Sequence, residues 1–159
     1  MTQTLWRLIK TRYVSHGLSG EGARLFGGRW TSPGHSVIYC AQHLSLAILE
    51  ILVHTDNKKM FSSYSKIAIE VEEEQIHHVS ESELPDNWND PFPGSELQEI
   101  GNQWLNSGES LILRIPSAVV HEEYNFLINT QHDEFDKINV KYMEPAALDM
   151  RLFGSSQKE

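Results

Sequence analysis

The chain's 159 residues suffice for one domain with a buried core and are too few for two comfortable ones. Hydrophobic residues at 40% and charged residues at 22% exclude a disordered chain. A formal net charge of −9 argues against direct binding to nucleic-acid phosphates, which needs clustered Lys and Arg. A few placed arginines still serve an anionic small molecule.

Cys40 is the single cysteine, so no intrachain disulfide forms and no oxidising compartment is implied. The start at Met1-Thr2-Gln3-Thr4 has no basic segment followed by an apolar one, so no signal peptide is expected. Leu44 to Val53, the longest apolar stretch, is broken by Ser45 and Glu50 and is too short to span a bilayer. A cytoplasmic location is expected.

In chain order, Trp6 and Leu8 flank Arg7 in a short strand-like start. Residues 15–36 hold six of the ten glycines and predict an irregular, tightly bending loop region. Ser36 to Ala41 predicts a short buried strand. From His43 to Thr55 the pattern is helical, with Leu44, Ala47, Ile48, Ile51 and Leu52 on one face and Leu46 and Val53 on a second stripe. That helix is expected to be buried on most sides. Tyr64 to Val71 alternates as a half-buried strand does, and the acidic run of Glu72, Glu73, Glu74, Glu81 and Glu83 reads as a solvated surface.

Pro85 to Pro93 is turn-rich. Ser95-Glu96-Leu97-Gln98 fits a capping box, opening a helix with Leu97, Ile100, Trp104 and Leu105 inward and an end near Gly108. Leu111 to Ile115, Phe126 to Ile128, Val140 to Met143 and Leu148 to Phe153 are further expected strands. Strands outnumbering two main helices predict an α+β domain.

Gly17 to Gly22 has the wrong glycine order for a dinucleotide fingerprint, there is no P-loop, and His121-Glu122-Glu123-Tyr124-Asn125 lacks the second histidine of a zinc helix. Three charged positions stand out instead. Glu50 is the only charged residue between His43 and His54 on an otherwise apolar helix. It either has a partner or reaches a cleft, or else it lies on a polar edge beside those histidines. Gly27-Gly28-Arg29-Trp30 allows close backbone approach beside a guanidinium and a large ring, fitting an anion site as well as a plain turn. Arg7 is a charge in a segment that reads as buried. Ser117, Asn125 and Asn129 are ordinary turn and capping types.

Together these pieces resemble the RES domain, a family named for its Arg, Glu and Ser. The first half carries Gly22-Ala23, Gly28-Arg29-Trp30, Gly34, Tyr39 and Ala47-Ile48-Leu49-Glu50. The second half carries Gly101-Asn102-Gln103-Trp104-Leu105, Arg114-Ile115-Pro116-Ser117, Asn125-Phe126-Leu127-Ile128-Asn129, His132 and Asp149-Met150-Arg151-Leu152-Phe153. The likeness runs from about Leu5 to Phe153 within a single domain spanning residues 1–159. Arg29, Tyr39 and Glu50, ten and eleven residues apart, fit the family's catalytic trio. Thr130 departs from the pattern, standing where the family usually has proline.

The resemblance implies an α+β fold similar to the ADP-ribosyltransferase toxins, with NAD⁺ as substrate and no metal. It implies the toxin of a toxin–antitoxin pair, breaking the nicotinamide–ribose bond and depleting NAD⁺ by hydrolysis or phosphorolysis. The alternatives are ADP-ribosyl transfer to one host protein, or a non-catalytic partner-binding module. Glu50 would bind a ribose hydroxyl and oppose the developing cation, and Arg29, assisted by Arg7, would bind the pyrophosphate or nearby ribose oxygens. Tyr39 would pack on nicotinamide, and Ser117 would orient Glu50 or the cofactor. The implied partner is an antitoxin with a helix-turn-helix domain, through which alone the chain reaches DNA; self-association stays open.

Overall fold

A computed structural model of the chain describes residues 1–54 and 63–153. Its elements are β1 (Thr2–Lys10), α1 (Glu21–Phe26), β2 (Val37–Ala41), α2 (Leu44–His54), β3 (Tyr64–Glu72), β4 (Ile76–His78), α3 (Glu96–Ser107), β5 (Ile112–Pro116), β6 (Tyr124–Asn129) and β7 (Asn139–Pro145). The strands form one sheet in the order β4-β5-β6-β2-β1-β3-β7, antiparallel except for β4 with β5. The α+β expectation holds.

The sheet is pinched at its centre. β1 pairs along its whole length with β3, from Thr2 opposite Glu72 to Lys10 opposite Tyr64, but meets β2 only at Trp6 opposite Ala41. The two halves therefore splay and fold toward each other. Leu5, Ile67 and Ile69 from one half pack against Ile38, Phe126 and Ile128 from the other, each fully or almost fully buried. The outer face of the four-stranded half carries a second core, in which Trp30, Val37, Leu113 and Leu127 meet Leu97 and Trp104 of α3. A third core seats Leu46 and Ala47 of α2 on Leu8 and Tyr64. Burying a leucine as fully as Leu46 contributes about 2 kcal/mol.

Several expectations are corrected. The opening strand is nine residues long, because β3 supplies a partner for all of it. The glycine-rich region contains the short helix α1. Helix α2 is buried on one side only: Leu49 and Val53 are exposed, since the neighbouring strands cover just the side bearing Leu46 and Ala47. Thr55 lies outside the described residues. Ser95 makes no side-chain cap, because its backbone is helical and Gln98 is drawn away to another loop. Capping boxes form instead within the acidic run, at Glu72 with Gln75 and Ser80 with Glu83. The expected strand at Leu148 to Phe153 is a 3₁₀ turn over Met150–Phe153, with no strand among the described residues pairing it.

Candidate active site

The glycine-rich loop and helix α3 build one wall. Gly28 is required by close approach: a Cβ there would lie 2.5 Å from the Tyr39 hydroxyl. That hydroxyl hydrogen-bonds Thr31 Oγ1 at 2.8 Å and accepts from the Trp30 N–H at 3.3 Å. Burial raises its pKa, the bond to Thr31 opposing. Tyr39 thus supports the loop from beneath. From above, Gln98 Nε2 donates to the carbonyls of Gly28 and Thr31, and the Asn102 amide exchanges hydrogen bonds with Ser32.

Clamped on both sides, the loop projects Arg29 toward the turn-rich segment, where its Nη2 donates at 2.6 Å to the carbonyls of both Trp88 and Asp90. Its Nε is buried and has no hydrogen-bond partner among the described residues. Burial lowers the Arg29 pKa, opposed by the charges of Glu50 and then Asp90, so Glu50 lies within its electrostatic reach. A cleft of about 380 Å³ opens here, lined by Gly28, Arg29, Pro93, Gly94, Ser95 and Gln98.

Glu50 comes from the other side. It lies one helical turn after Leu46, the most buried residue of α2, so it points along the packed side and keeps only 24% of its side chain exposed. Its Oε1 accepts from Ser117 Oγ at 2.8 Å and from Asn125 Nδ2 at 2.6 Å. The Ser117 hydroxyl also accepts the N–H groups of Val119 and Val120, so its single proton goes to Glu50. Oε2 faces His54 Nε2 at 4.0 Å.

Arg7 sits elsewhere. Beside Leu5 and Ile9 it enters the interior at the pinch in the sheet, and its Nε and Nη1 donate to the carbonyls of Gly17 and Tyr39. Burial pulls its pKa down. It ties the two half-sheets together where backbone pairing stops. Cys40 is no nucleophile, for burial pushes its thiol up to about 12.

Arg29, Glu50 and Ser117 are thus brought into one region, with Tyr39 under the loop and Arg7 at the seam behind it. Sequence reasoning missed two contributors, the Trp88–Asp90 carbonyls and Asn125. The β5–β6 hairpin held the signal for the second: Ser117 and Asn125 fall at the same end of paired strands, Ile115 standing opposite Asn125.

Tyr39→Phe measures how far the tyrosine serves the loop. Its loss strands the buried Thr31 hydroxyl and Trp30 N–H, so stability falls by about 1–3 kcal/mol. Thermal unfolding of the variant checks this, and an unchanged melting temperature would remove the hydroxyl from the loop's support.

A pinched α+β sheet thus carries an arginine loop and a hydrogen-bonded glutamate in one region. The chain belongs to the RES domain family, which it matches over residues 4–151. It is 37% identical over 149 residues to "Toxin Res" of Photorhabdus laumondii, covering 93% of this chain and 96% of that protein. It is 31% identical over 157 residues to the "Prs ADP-ribosylating toxin" of a Sphingobium species, covering 96% and 98%. Among solved structures, the M. tuberculosis MbcT–MbcA toxin–antitoxin complex contains a chain with the same fold, at a TM-score of 0.77 and 20% identity, covering 96% of this chain and 87% of that one.

Proposed function

We propose that the chain is the toxin of a toxin–antitoxin pair and cleaves the nicotinamide–ribose bond of NAD⁺, depleting it by hydrolysis or phosphorolysis. The observation that carries this reading is the Glu50 carboxylate, anchored through Oε1 by two neutral donors and leaving Oε2 for substrate. In the reaction the glycosidic bond breaks, its electron pair returns to the pyridinium nitrogen, and neutral nicotinamide departs. No acid is needed for that leaving group. What the site must supply is negative charge beside the ribose cation and a fixed pose for the rest of the dinucleotide. Oε2 of Glu50 accepts from a ribose hydroxyl and opposes the cation, as carboxylates do in glycoside cleavage. Arg29, which lines the cleft, binds pyrophosphate or ribose oxygens. Ser117 orients Glu50. Tyr39 offers its ring to nicotinamide and holds the arginine loop, while Arg7 contributes by securing the seam behind them. A water or phosphate oxygen then bonds to the anomeric carbon and loses its proton.

ADP-ribosyl transfer to a protein is the second reading, favoured by the name of the Sphingobium relative. Both share the first bond cleavage and differ in acceptor. The deciding experiment incubates the purified chain with NAD⁺ and no protein acceptor, with and without phosphate, and identifies the sugar product. Nicotinamide release under those conditions supports depletion. Release only when a specific protein is added supports transfer, and no release under any condition supports a binding module.

An antitoxin carrying a helix-turn-helix domain is the expected partner, one segment of it covering the Arg29–Glu50 region. Exposed Phe92, next to the cleft-lining Pro93, and exposed Phe26, just before the arginine loop, suit such a cover. With its charge of −9 the chain reaches DNA through that partner. For Arg29→Lys we expect nearly as large a loss as for Arg29→Ala, because lysine keeps the charge without the planar guanidinium that here meets two carbonyls. Full turnover in the lysine variant would reduce Arg29 to a point charge.

A further inference from the structure

We propose that Asn125 is a positioning residue for the reaction, fixing the plane of the Glu50 carboxylate so that Oε2 stays turned to substrate. This rests on the reading of Glu50 given above. The terminal torsion of a glutamate is broad, so one hydrogen bond leaves the carboxylate free to swivel. Ser117 supplies that one bond, from the turn after β5. Asn125 supplies a second from β6, at 2.6 Å and on the same oxygen. Two donors from different elements hold Oε1 and leave Oε2 as the open acceptor.

The orientation of the amide follows from chemistry. A carboxylate only accepts, so Nδ2 faces Glu50 and Oδ1 faces away. Oδ1 is buried there with no hydrogen-bond partner among the described residues. A buried acceptor left without a donor is unfavourable, so the amide is not placed for its own satisfaction. Its gain lies in the Glu50 contact. Neutrality matters as well. The charged or titratable groups around the carboxylate are His54 on its own helix and Arg29 on the glycine loop. β6 and the Ser117 turn meet it with uncharged donors, and His121 on that turn lies instead 3.2 Å from the Ala118 carbonyl. Asn125 therefore anchors Glu50 without neutralising the charge that faces the ribose.

The test compares wild type, Asn125→Ala, Asn125→Asp and Glu50→Gln as full chains. It measures kcat and KM for nicotinamide release from acidic to alkaline pH, with thermal unfolding of each. Asn125→Ala should lower kcat roughly 10- to 10²-fold with little change in KM, as expected for a misaligned reacting group. In Asn125→Asp the introduced carboxyl lies against Glu50, and two carboxylates so close do not both ionise readily, so its pKa is raised. At acidic pH it keeps its proton, still donates to Oε1, and kcat stays near wild type. As pH rises it ionises, loses the donor and repels Glu50, and kcat falls where the wild type shows no such fall. If the aspartate variant does not fold, the alanine variant decides. Wild-type kcat and pH profile in both, with Glu50→Gln inactive, would overturn the role of Asn125 and leave that of Glu50 standing. A loss confined to KM would overturn it too. Full activity in Glu50→Gln would overturn the reading of Glu50 itself, and this inference with it.

Discussion

Glu50→Gln should lower NAD⁺ turnover by roughly 10²–10³, about 3–4 kcal/mol of transition-state stabilisation, while the protein stays folded. The geometry sharpens the reason. Oε1 accepts hydrogen bonds from both Ser117 and Asn125, so in the glutamine variant the amide oxygen must take that place. The amide nitrogen then occupies the position of Oε2, presenting a donor to the ribose where an acceptor is required. The negative charge is lost in the same step. NAD⁺ affinity should change much less, since the charge acts on a cation that exists only near the transition state. Glu50→Ala is the contrasting variant. It leaves two buried donors unpaired and should cost about 1–3 kcal/mol of stability in addition to turnover. Turnover, NAD⁺ binding and melting temperature measured on the same preparations separate these effects. A folded glutamine variant with wild-type turnover would return Glu50 to the status of a partly exposed surface glutamate.

The elements were readable from the chain wherever their signal is local. The strand at Tyr64 to Val71, the apolar run before Pro116 and the stop at Gly108 all reappear in the fold, but Ala68 is buried along with Ile67 and Ile69, so that strand is covered on both faces and not half-buried. What local pattern misjudged depends on neighbours. The apolar residues of α2 predict burial all round, yet which of them is covered is decided by β1 and β3, and Leu49 and Val53 end up outside. Glu50 could be flagged as a charge out of place, but its stripe could not be assigned without knowing that Leu46 faces inward. Ser95 and Gln98 have the spacing of a capping box, and a distant loop competes successfully for Gln98. Arg7 reads as a buried charge and is one; its guanidinium meets two backbone carbonyls at the break between β1 and β2, a break no strand pattern announces. The family likeness located Arg29, Tyr39, Glu50 and Ser117 together. It had no means of revealing that Tyr39 and Ser117 spend their hydroxyls on the protein itself.

Gly101→Ala should damage both stability and turnover, although Gly101 touches neither Arg29 nor Glu50. Alanine is the better helix former by about 1 kcal/mol, so in an isolated helix the change would be favourable. Here a Cβ would overlap the Trp30 carbonyl oxygen and lie 2.8 Å from its carbon, both backbone atoms that cannot swing aside. Gln98, Gly101 and Asn102 form one stripe of α3, and the flanking pair hold the loop that carries Arg29. Relief therefore requires the helix or the loop to retreat, and Trp30 is itself packed into the core with Leu97 and Trp104. Overpacking of this kind costs about 3 kcal/mol, leaving a net loss of roughly 2 kcal/mol after the gain in helix propensity. For a chain of this size that lowers the melting temperature by about 4–8 °C. The displaced loop should also raise KM for NAD⁺, because Arg29 moves with it. Gly22→Ala is the control: Gly22 is helical too, and a Cβ there meets nothing within 4 Å, so stability should hold or rise slightly. Equal melting temperatures for the two variants would mean that the close approach of α3 to Trp30 does not constrain the loop, and the route from α3 to Arg29 would have to be abandoned.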